Sequence, residues 1–293
     1  MNRVVAVFGP TASGKSELAL ALAERVGGEI VSCDAMQLYA SLPILTNQPS
    51  EEELARVPHH LVGVWPLDHE GSVAEYATLA RAAVDSALAR GSVPIVCGGS
   101  GLYLRAALGP LDLPPQPAPG ARARWECLYD QAGPATAHER LAQQDPRAAA
   151  AVHPNDRRRV VRALELAEAG ASLAPPVPAL WEHDTRHPTT LLCVDRPVPE
   201  VRERIAERTR EMFERGVEEE VAAALGGPIS RTASSIHGLA DVAAVLRGEI
   251  SREEGIRRLT LRTRRYAKRQ RVWMRRLPGR QDVASLDDAL TSL

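Results

Sequence analysis

Residues Val4–Arg25 read VVAVF, GPTASGKS, ELALALAER. The first five form an apolar, β-branched run, which predicts a buried strand. The last nine, Glu17–Arg25, predict a helix. Between them, Gly9-Pro10-Thr11-Ala12-Ser13-Gly14-Lys15-Ser16 is Gly-x-x-x-x-Gly-Lys-Ser. Between a strand and a helix, that pattern is a phosphate-binding loop. Its glycines let the backbone curl until successive N–H groups point into one anion-sized hollow. The helix N-terminus adds partial positive charge. Lys15 supplies a mobile cation for the outer phosphate, and Ser16 a hydroxyl for Mg²⁺. The chain has two lysines, Lys15 and Lys268, against 34 arginines. One of the two stands where a compact ammonium suits a phosphate better than a planar guanidinium.

The 293 residues suffice for one large domain, or for a core domain with an insertion. The hydrophobic share of 44% and charged share of 25% are those of a soluble globular protein. A net charge of −1 gives no global signal for nucleic acid. Cys33, Cys97, Cys127 and Cys193 form no zinc-type pairs and no disulfide framework, so reduced thiols in a cytoplasmic protein are expected. No signal peptide or apolar run of spanning length is visible, so no membrane span is expected.

After the first helix, Glu29–Cys33 (EIVSC) reads as a strand that delivers Asp34. In a parallel α/β sheet both loops open at the carboxyl ends of strands, here taken as neighbours, where ligands bind. Asp34 then either faces the ligand, as a proton acceptor or an aid to Mg²⁺, or is a helix cap or turn residue. His59 and His60 are adjacent and point apart on a strand, which favours structural roles over a shared metal. Ser72–Gly91 reads as a helix, with Ser72 as N-cap and Glu75 at the capping-box position. Val93–Cys97 is a strand running into Gly98-Gly99-Ser100-Gly101, where glycines permit close approach of a ligand or a helix. Proline-rich stretches at Pro110–Pro119 and Ala174–Pro178 bracket a helical segment. Within it, Arg157, Arg158, Arg159 and Arg162 are either a phosphate-contacting cluster or a solvated basic face.

Thr189–Asp195 returns to strand, and its terminal Asp195 resembles the acid of a nucleotide hydrolase's second phosphate motif. A helix over Val198–Arg215 and another over about Ser251–Leu277 follow. Along the latter, Ile256, Leu259, Thr263, Tyr266, Gln270, Trp273 and Leu277 form one stripe with two polar members. From Gly255 to Gln281 there are eleven Lys/Arg and no Asp/Glu, which favours contact with a polyanion, RNA or DNA.

Taken together, GPTASGKS, the strand ending in Asp34 with Met36-Gln37-Leu38-Tyr39, VPHHL, GGSGLYL, PNDRRRVVRALE and RRYAKRQ followed by Trp273 resemble one family. It is the tRNA dimethylallyltransferases, also called tRNA isopentenyltransferases or IPP transferases. The resemblance runs from Val4 to about Arg276. It implies an α/β fold: a P-loop NTPase-like core with a central parallel sheet flanked by helices, plus an all-helical insertion domain. The core would be residues 1–110 and 188–293, and the insertion, residues 111–187, would bind the anticodon stem-loop. The implied reaction moves a dimethylallyl group from dimethylallyl diphosphate to an adenine amine beside the tRNA anticodon, with Mg²⁺ as cofactor. Gly9 through Ser16 would bind the diphosphate, Asp34 would be the base, and Arg208 matches the catalytic arginine. Contacts to tRNA would fall at Asp34, Ala35, Met36, Gln37, Ser100, Arg122, Arg158, Arg159, Val160, Val161 and Arg162. The enzyme is expected to be monomeric. Departures from the family pattern at Ala35, Ala40-Ser41, Leu45-Thr46-Asn47-Gln48 and Gly238-Leu239-Ala240 bear on the acceptor more than on the donor. Two rival readings remain: an adenylate isopentenyltransferase using free AMP, ADP or ATP, and an ATP-binding kinase or NTPase using Asp195.

Overall fold

The computed structural model describes residues 3–109, 117–174 and 185–293. In chain order the elements are β1 (Val4–Phe8), α1 (Lys15–Val26), β2 (Gly28–Ser32), α2 (Pro43–Thr46), α3 (Glu51–Arg56), β3 (His59–His60) and α4 (Val73–Ala89). There follow β4 (Val93–Gly98), α5 (Gly101–Leu108), α6 (Ala121–Gln144), α7 (Pro146–Ala151) and α8 (Arg157–Glu168). The chain ends with β5 (Thr189–Cys193), α9 (Val198–Glu214), α10 (Val217–Leu225), α11 (Leu239–Leu246), α12 (Arg252–Met274), β6 (Gln281–Asp282) and α13 (Leu286–Thr291). It divides into two compact units, Met1–Pro110 with His183–Leu293, and Leu111–Glu182.

In the first unit, the described strands form one parallel sheet in the order β3-β2-β4-β1-β5-β6. Every residue of β1 is buried, as its apolar run requires. The sheet corrects one expectation: β2 is not the neighbour of β1. β4 lies between them, with Ile95 in register with both Val5 and Ile30. A right-handed crossover fixes the hand of β1-α1-β2 but not the number of strand positions it skips. β4, buried from Pro94 to Gly98, takes the inner place. A Cβ at Gly98 would fall 2.6 Å from Cys33 Sγ, so the intervening strand ends without a side chain beside the Asp34 turn.

Val5, Val7, Ile95 and Leu192 of the sheet pack against Ala19 and Leu22 of α1 and Ala289 of α13. α13 and β6 lie past the last element read from the sequence. α4 begins as expected, with the Ser72 hydroxyl accepting the Glu75 N–H at 3.1 Å. The reciprocal half of the capping box is replaced, because the Glu75 carboxylate meets His69 Nε2 at 2.8 Å instead. The four cysteines are free thiols, three of them buried. No helix among the described residues is long and apolar enough to cross a membrane.

In the second unit the described elements are all helices. α6 breaks at Gly133, which adopts φ 86 ahead of Pro134. Tyr129, Leu141, Val160, Val161 and Leu164 form this unit's own core. The proline-rich connectors fall mostly outside the described residues, as do the proposed domain boundary at 111 and Pro175–Pro178.

Candidate active site

β1 runs directly into the phosphate loop. Gly9 is required by crowding: a Cβ there would lie 2.3 Å from the Val194 carbonyl oxygen. Gly14 at φ 93 and Ala12 at φ 64 curl the loop through the left-handed region. α1 then starts at Lys15 with no side chain capping it, so its first-turn N–H groups and dipole face the cavity. Three loop amides are already engaged, the first being Gly9 N on the Gly98 carbonyl at 3.4 Å. Thr11 N donates to Gln270 Oε1 at 2.8 Å, and Ser13 N to the Pro10 carbonyl at 3.3 Å. Pro10 has no N–H. The expected cradle of Gly9 through Ser16 therefore narrows, for backbone donors, to Ala12 and Gly14–Ser16.

The cavity in front of the loop is about 490 Å³. Thr11, Ala12, Gly14, Lys15 and Ser16 line it from the loop, and Asp34, Met36 and Gln37 from the turn after β2. Arg208 of α9, His237, and Thr263 and Tyr266 of α12 complete the wall on the helical side. Arg208 Nη2 donates to Thr11 Oγ1 at 2.5 Å. Burial lowers the pKa of this arginine, Asp34 opposes that shift, and Arg204 adds to it. A desolvated cation thus stands at the loop, where an anionic ligand would relieve its isolation.

At Asp34 the turn reading is seen directly, and the side chain also borders the cavity. Oδ1 accepts the Met36 N–H at 3.0 Å, as a turn residue does. The wall beside it is strapped in place. Gln37 Nε2 donates to the Asn47 carbonyl at 2.6 Å, and Gln48 Nε2 to the Tyr39 carbonyl at 2.8 Å. The Glu220 carboxylate accepts the N–H groups of Ile44 and Leu45 at 2.6 and 2.9 Å. Burial pushes that carboxyl's pKa up, and the two amides oppose the shift. Leu45, Thr46, Asn47 and Gln48, which depart from the family pattern, all line the cavity. Leu239 is buried, Ala240 is exposed, and neither lines it. Ala35 and Ser100 are half-buried and stand outside the lining; Ser100 begins α5.

Several wall residues escaped the reading of the sequence. The His237 ring meets Tyr266 edge-on, centroids 4.6 Å apart, and its backbone N–H reaches Met36 Sδ at 3.4 Å. Burial, then Arg269 and Arg262, lower the pKa of His237 and favour the neutral ring. Burial and then Asp34 raise that of Tyr266, which stays a protonated donor. Burial pushes the Cys97 thiol up to about 11, so this lining residue stays unreactive at neutral pH. The polar members of the α12 stripe were the available signal: Thr263 lines the cavity and Gln270 holds the loop. The same stripe explains Gly-Gly-Ser-Gly. Cβ atoms at Gly99 and Gly101 would each lie 2.1 Å from α12 side chains, Gln270 and Trp273. These glycines admit a helix, not a ligand.

Asp195, the rival reading's acid, is committed elsewhere. Its Oδ1 accepts from Arg271 Nε and Nη2 at 2.9 and 2.8 Å and from the Arg196 amide at 2.9 Å, and it does not line the cavity. Arg196 in turn donates to the Ser13 carbonyl at 2.8 Å. The basic run over Gly255–Gln281 is also less one-sided in space than in sequence. Arg257 and Arg258 pair with Glu254, Arg262 with Asp241, Arg271 with Asp195 and Arg280 with Asp282. Those acids stand outside the window or come from other elements, which a count along the chain cannot register.

In the second unit, α8 presents Arg158 and Arg159 outward. Arg157 pairs with Asp130 at 2.6 Å, and Arg162 and Arg122 reach Glu165 at 3.3 and 3.6 Å. Val160 and Val161 are fully buried. They anchor α8 to its core, so their side chains are not contact positions, which corrects their place in the expected tRNA set.

Residues 37–277 match the family model described as IPP transferase. The chain belongs to the IPP transferase family. Among related IPP transferases, the protein named tRNA dimethylallyltransferase of Streptomyces coelicolor is 45% identical over 94% of this chain and 88% of its own length. Its namesake in Salinispora tropica is 46% identical over 99% and 90%. The crystal structure of the full-length tRNA isopentenylpyrophosphate transferase of Bacillus halodurans superposes with a TM-score of 0.71 at 30% identity, covering 99% of this chain and 94% of that one. A eukaryotic dimethylallyltransferase solved acting on tRNA shares the fold, with a TM-score of 0.76 at 24% identity over 97% of this chain and 75% of that one. The IPP transferase core here is thus a P-loop-like parallel α/β sheet with helices around it.

Proposed function

We propose that this chain transfers the dimethylallyl group of dimethylallyl diphosphate to the N6 amine of an adenine adjacent to the tRNA anticodon. One observation carries the reading: Lys15, Arg208 and Asp34 line the same cavity. An allylic diphosphate leaves when its developing charge is neutralised, and the uncapped α1 terminus, Lys15 and Arg208 supply that neutralisation. The adenine amine is a weak nucleophile, because its lone pair is delocalised into the ring. As the N6–C1 bond forms, the C1–O bond breaks, its electron pair leaves with pyrophosphate, and Asp34 takes the N6 proton. The base must leave its stack to enter such a cavity.

The lining offers hard oxygen donors, the Ser16 hydroxyl and the Asp34 carboxylate. No group of three or more His, Cys, Asp or Glu among the described residues is placed to cage a metal. This fits Mg²⁺, which binds through one or two protein oxygens and completes its shell with phosphate and water. Ser16 would hold it, and when bound it would neutralise charge on the diphosphate. The helical unit would grip the anticodon stem-loop through Arg158 and Arg159, with Arg122 and Arg162 beside them; the Asp34–Gln37 turn would meet the flipped base and Ser100 the tRNA outside the cavity. The protein would act as a cytoplasmic monomer.

Labelled dimethylallyl diphosphate with Mg²⁺, offered to unmodified tRNA and to AMP in separate tubes, tests the reading. Label in tRNA at an adenine beside the anticodon supports it. Label in AMP alone overturns the tRNA assignment, and label in neither overturns prenyl transfer.

A further inference from the structure

We infer that Gln270 is a positioning residue for the leaving group, acting through Thr11. The inference rests on the prenyl-transfer reading of the cavity and adds a residue outside its lining. Gln270 lies on α12, is 2% exposed and is separated from the phosphate loop by more than 250 residues of chain. Its Oε1 accepts the Thr11 N–H at 2.8 Å. Its Nε2 is wedged against Gly99, where a single Cβ would come within 2.1 Å. The Thr11 N–H requires an acceptor, which sets the amide with its oxygen to the loop and its nitrogen to the glycine. On its other side Thr11 is held by Arg208, whose Nη2 donates to Thr11 Oγ1 at 2.5 Å.

Thr11 is thus fixed from two helices at once, by α12 through its amide and by α9 through its hydroxyl. The Thr11 amide would otherwise point among the donors that cradle an anion. Gln270 takes it out of that set and leaves the hydroxyl as the residue's contribution, turned to the cavity arginine. A rigid threonine presents Arg208 to the diphosphate in one geometry. A loose one lets the guanidinium wander, and preorganised charge is what stabilises a departing anion. Gln270 also reaches the Tyr266 hydroxyl of the cavity wall, but its one hold on the phosphate loop is through Thr11, so its influence should fall chiefly on the diphosphate side.

The test is Gln270→Met, which keeps the length and removes the acceptor. Expected are a KM for dimethylallyl diphosphate and a Kd for inorganic pyrophosphate raised about tenfold, the scale of one buried hydrogen bond with its partner left unmet. The KM for tRNA should stay at the wild-type value. Gly99→Ala would crowd the Gly9 carbonyl of the loop at 2.8 Å as well as the amide, so it does not isolate Gln270. Combining Gln270→Met with Thr11→Val should cost less than the sum of the two, because both act through Thr11. Unchanged pyrophosphate affinity in Gln270→Met overturns the inference. So does a loss shared equally by tRNA and diphosphate, which marks a merely structural residue. Pyrophosphate binding by calorimetry needs no turnover. A wild-type protein that binds pyrophosphate but prenylates no tRNA would therefore sink the proposed function and still decide the role of Gln270.

Discussion

Asp34 spends one carboxylate oxygen on the Met36 N–H at 3.0 Å while its side chain lines the cavity that Lys15 and Arg208 also line. The turn fixes the carboxylate's orientation, and its other oxygen is the one proposed to take the N6 proton. Asp34→Ala should reduce transfer by roughly 10²–10⁴, the usual scale for a general base. Pyrophosphate affinity, set by the loop and the arginine, should hold. Single-turnover transfer and calorimetry on the same variant check both halves, and a parallel loss of the two would remove the base assignment. Residues of this kind are legible in sequence when they follow a local motif, as Lys15, Ser16 and Asp34 do. His237, Tyr266 and Gln270 are not, because nothing near them in the chain encodes a phosphate loop 220 or more positions away. The unexplained polar members of the α12 stripe hinted at Gln270 alone.

Among the elements, β2, β3 and the end of α4 are tied by Glu29. Its carboxylate meets Arg90 at 2.6 Å and His60 at 2.7 Å, and it is almost fully buried. Chiefly Arg90, then His60, hold its pKa below the ordinary carboxylate value against the opposing pull of burial. A carboxylate depressed in this way adds stability that is fully present above its unfolded pKa and is lost as pH falls through the lower folded value. Glu29→Gln should therefore cost about 1–2 kcal/mol at pH 7, a buried pair discounted for a half-exposed arginine. The difference from wild type should shrink below about pH 4.3, where the unfolded carboxyl protonates. Urea unfolding of both proteins at pH 7 and pH 4 reads this, and a gap that stays constant would assign the cost to packing. The periodicity of α9 and α12 was plain in the sequence, because each has an apolar stripe at helical spacing. β6 and α13 were not, being two and six residues long, too short for a period to register.

For the whole molecule, a net charge of −1 supplies no general attraction to RNA. Affinity must come from arginines left unneutralised at particular places, and the ion pairs remove many candidates. Arg158 and Arg159 remain exposed on α8. Replacing both with Gln should weaken tRNA binding and lower the slope of log K against log salt by about 0.7–0.9 per charge removed. Titrations at several salt concentrations measure it, and an unchanged slope would move both residues off the interface. The sequence by itself determined the strand–loop–helix that binds phosphate, the parallel α/β class, the helical run after Pro119, and, through motifs in order, the family. These rest on hydrogen bonding and burial within a few turns of chain, which local residue types dictate. Tertiary structure alone decided that β4 stands between β1 and β2, that Arg271 claims Asp195, that outside acids offset much of the basic run, and that α12 closes on Gly99 and Gly101 to hold the loop through Gln270. Those outcomes depend on which distant surfaces meet, and contact between residues far apart in sequence is set by packing the whole core.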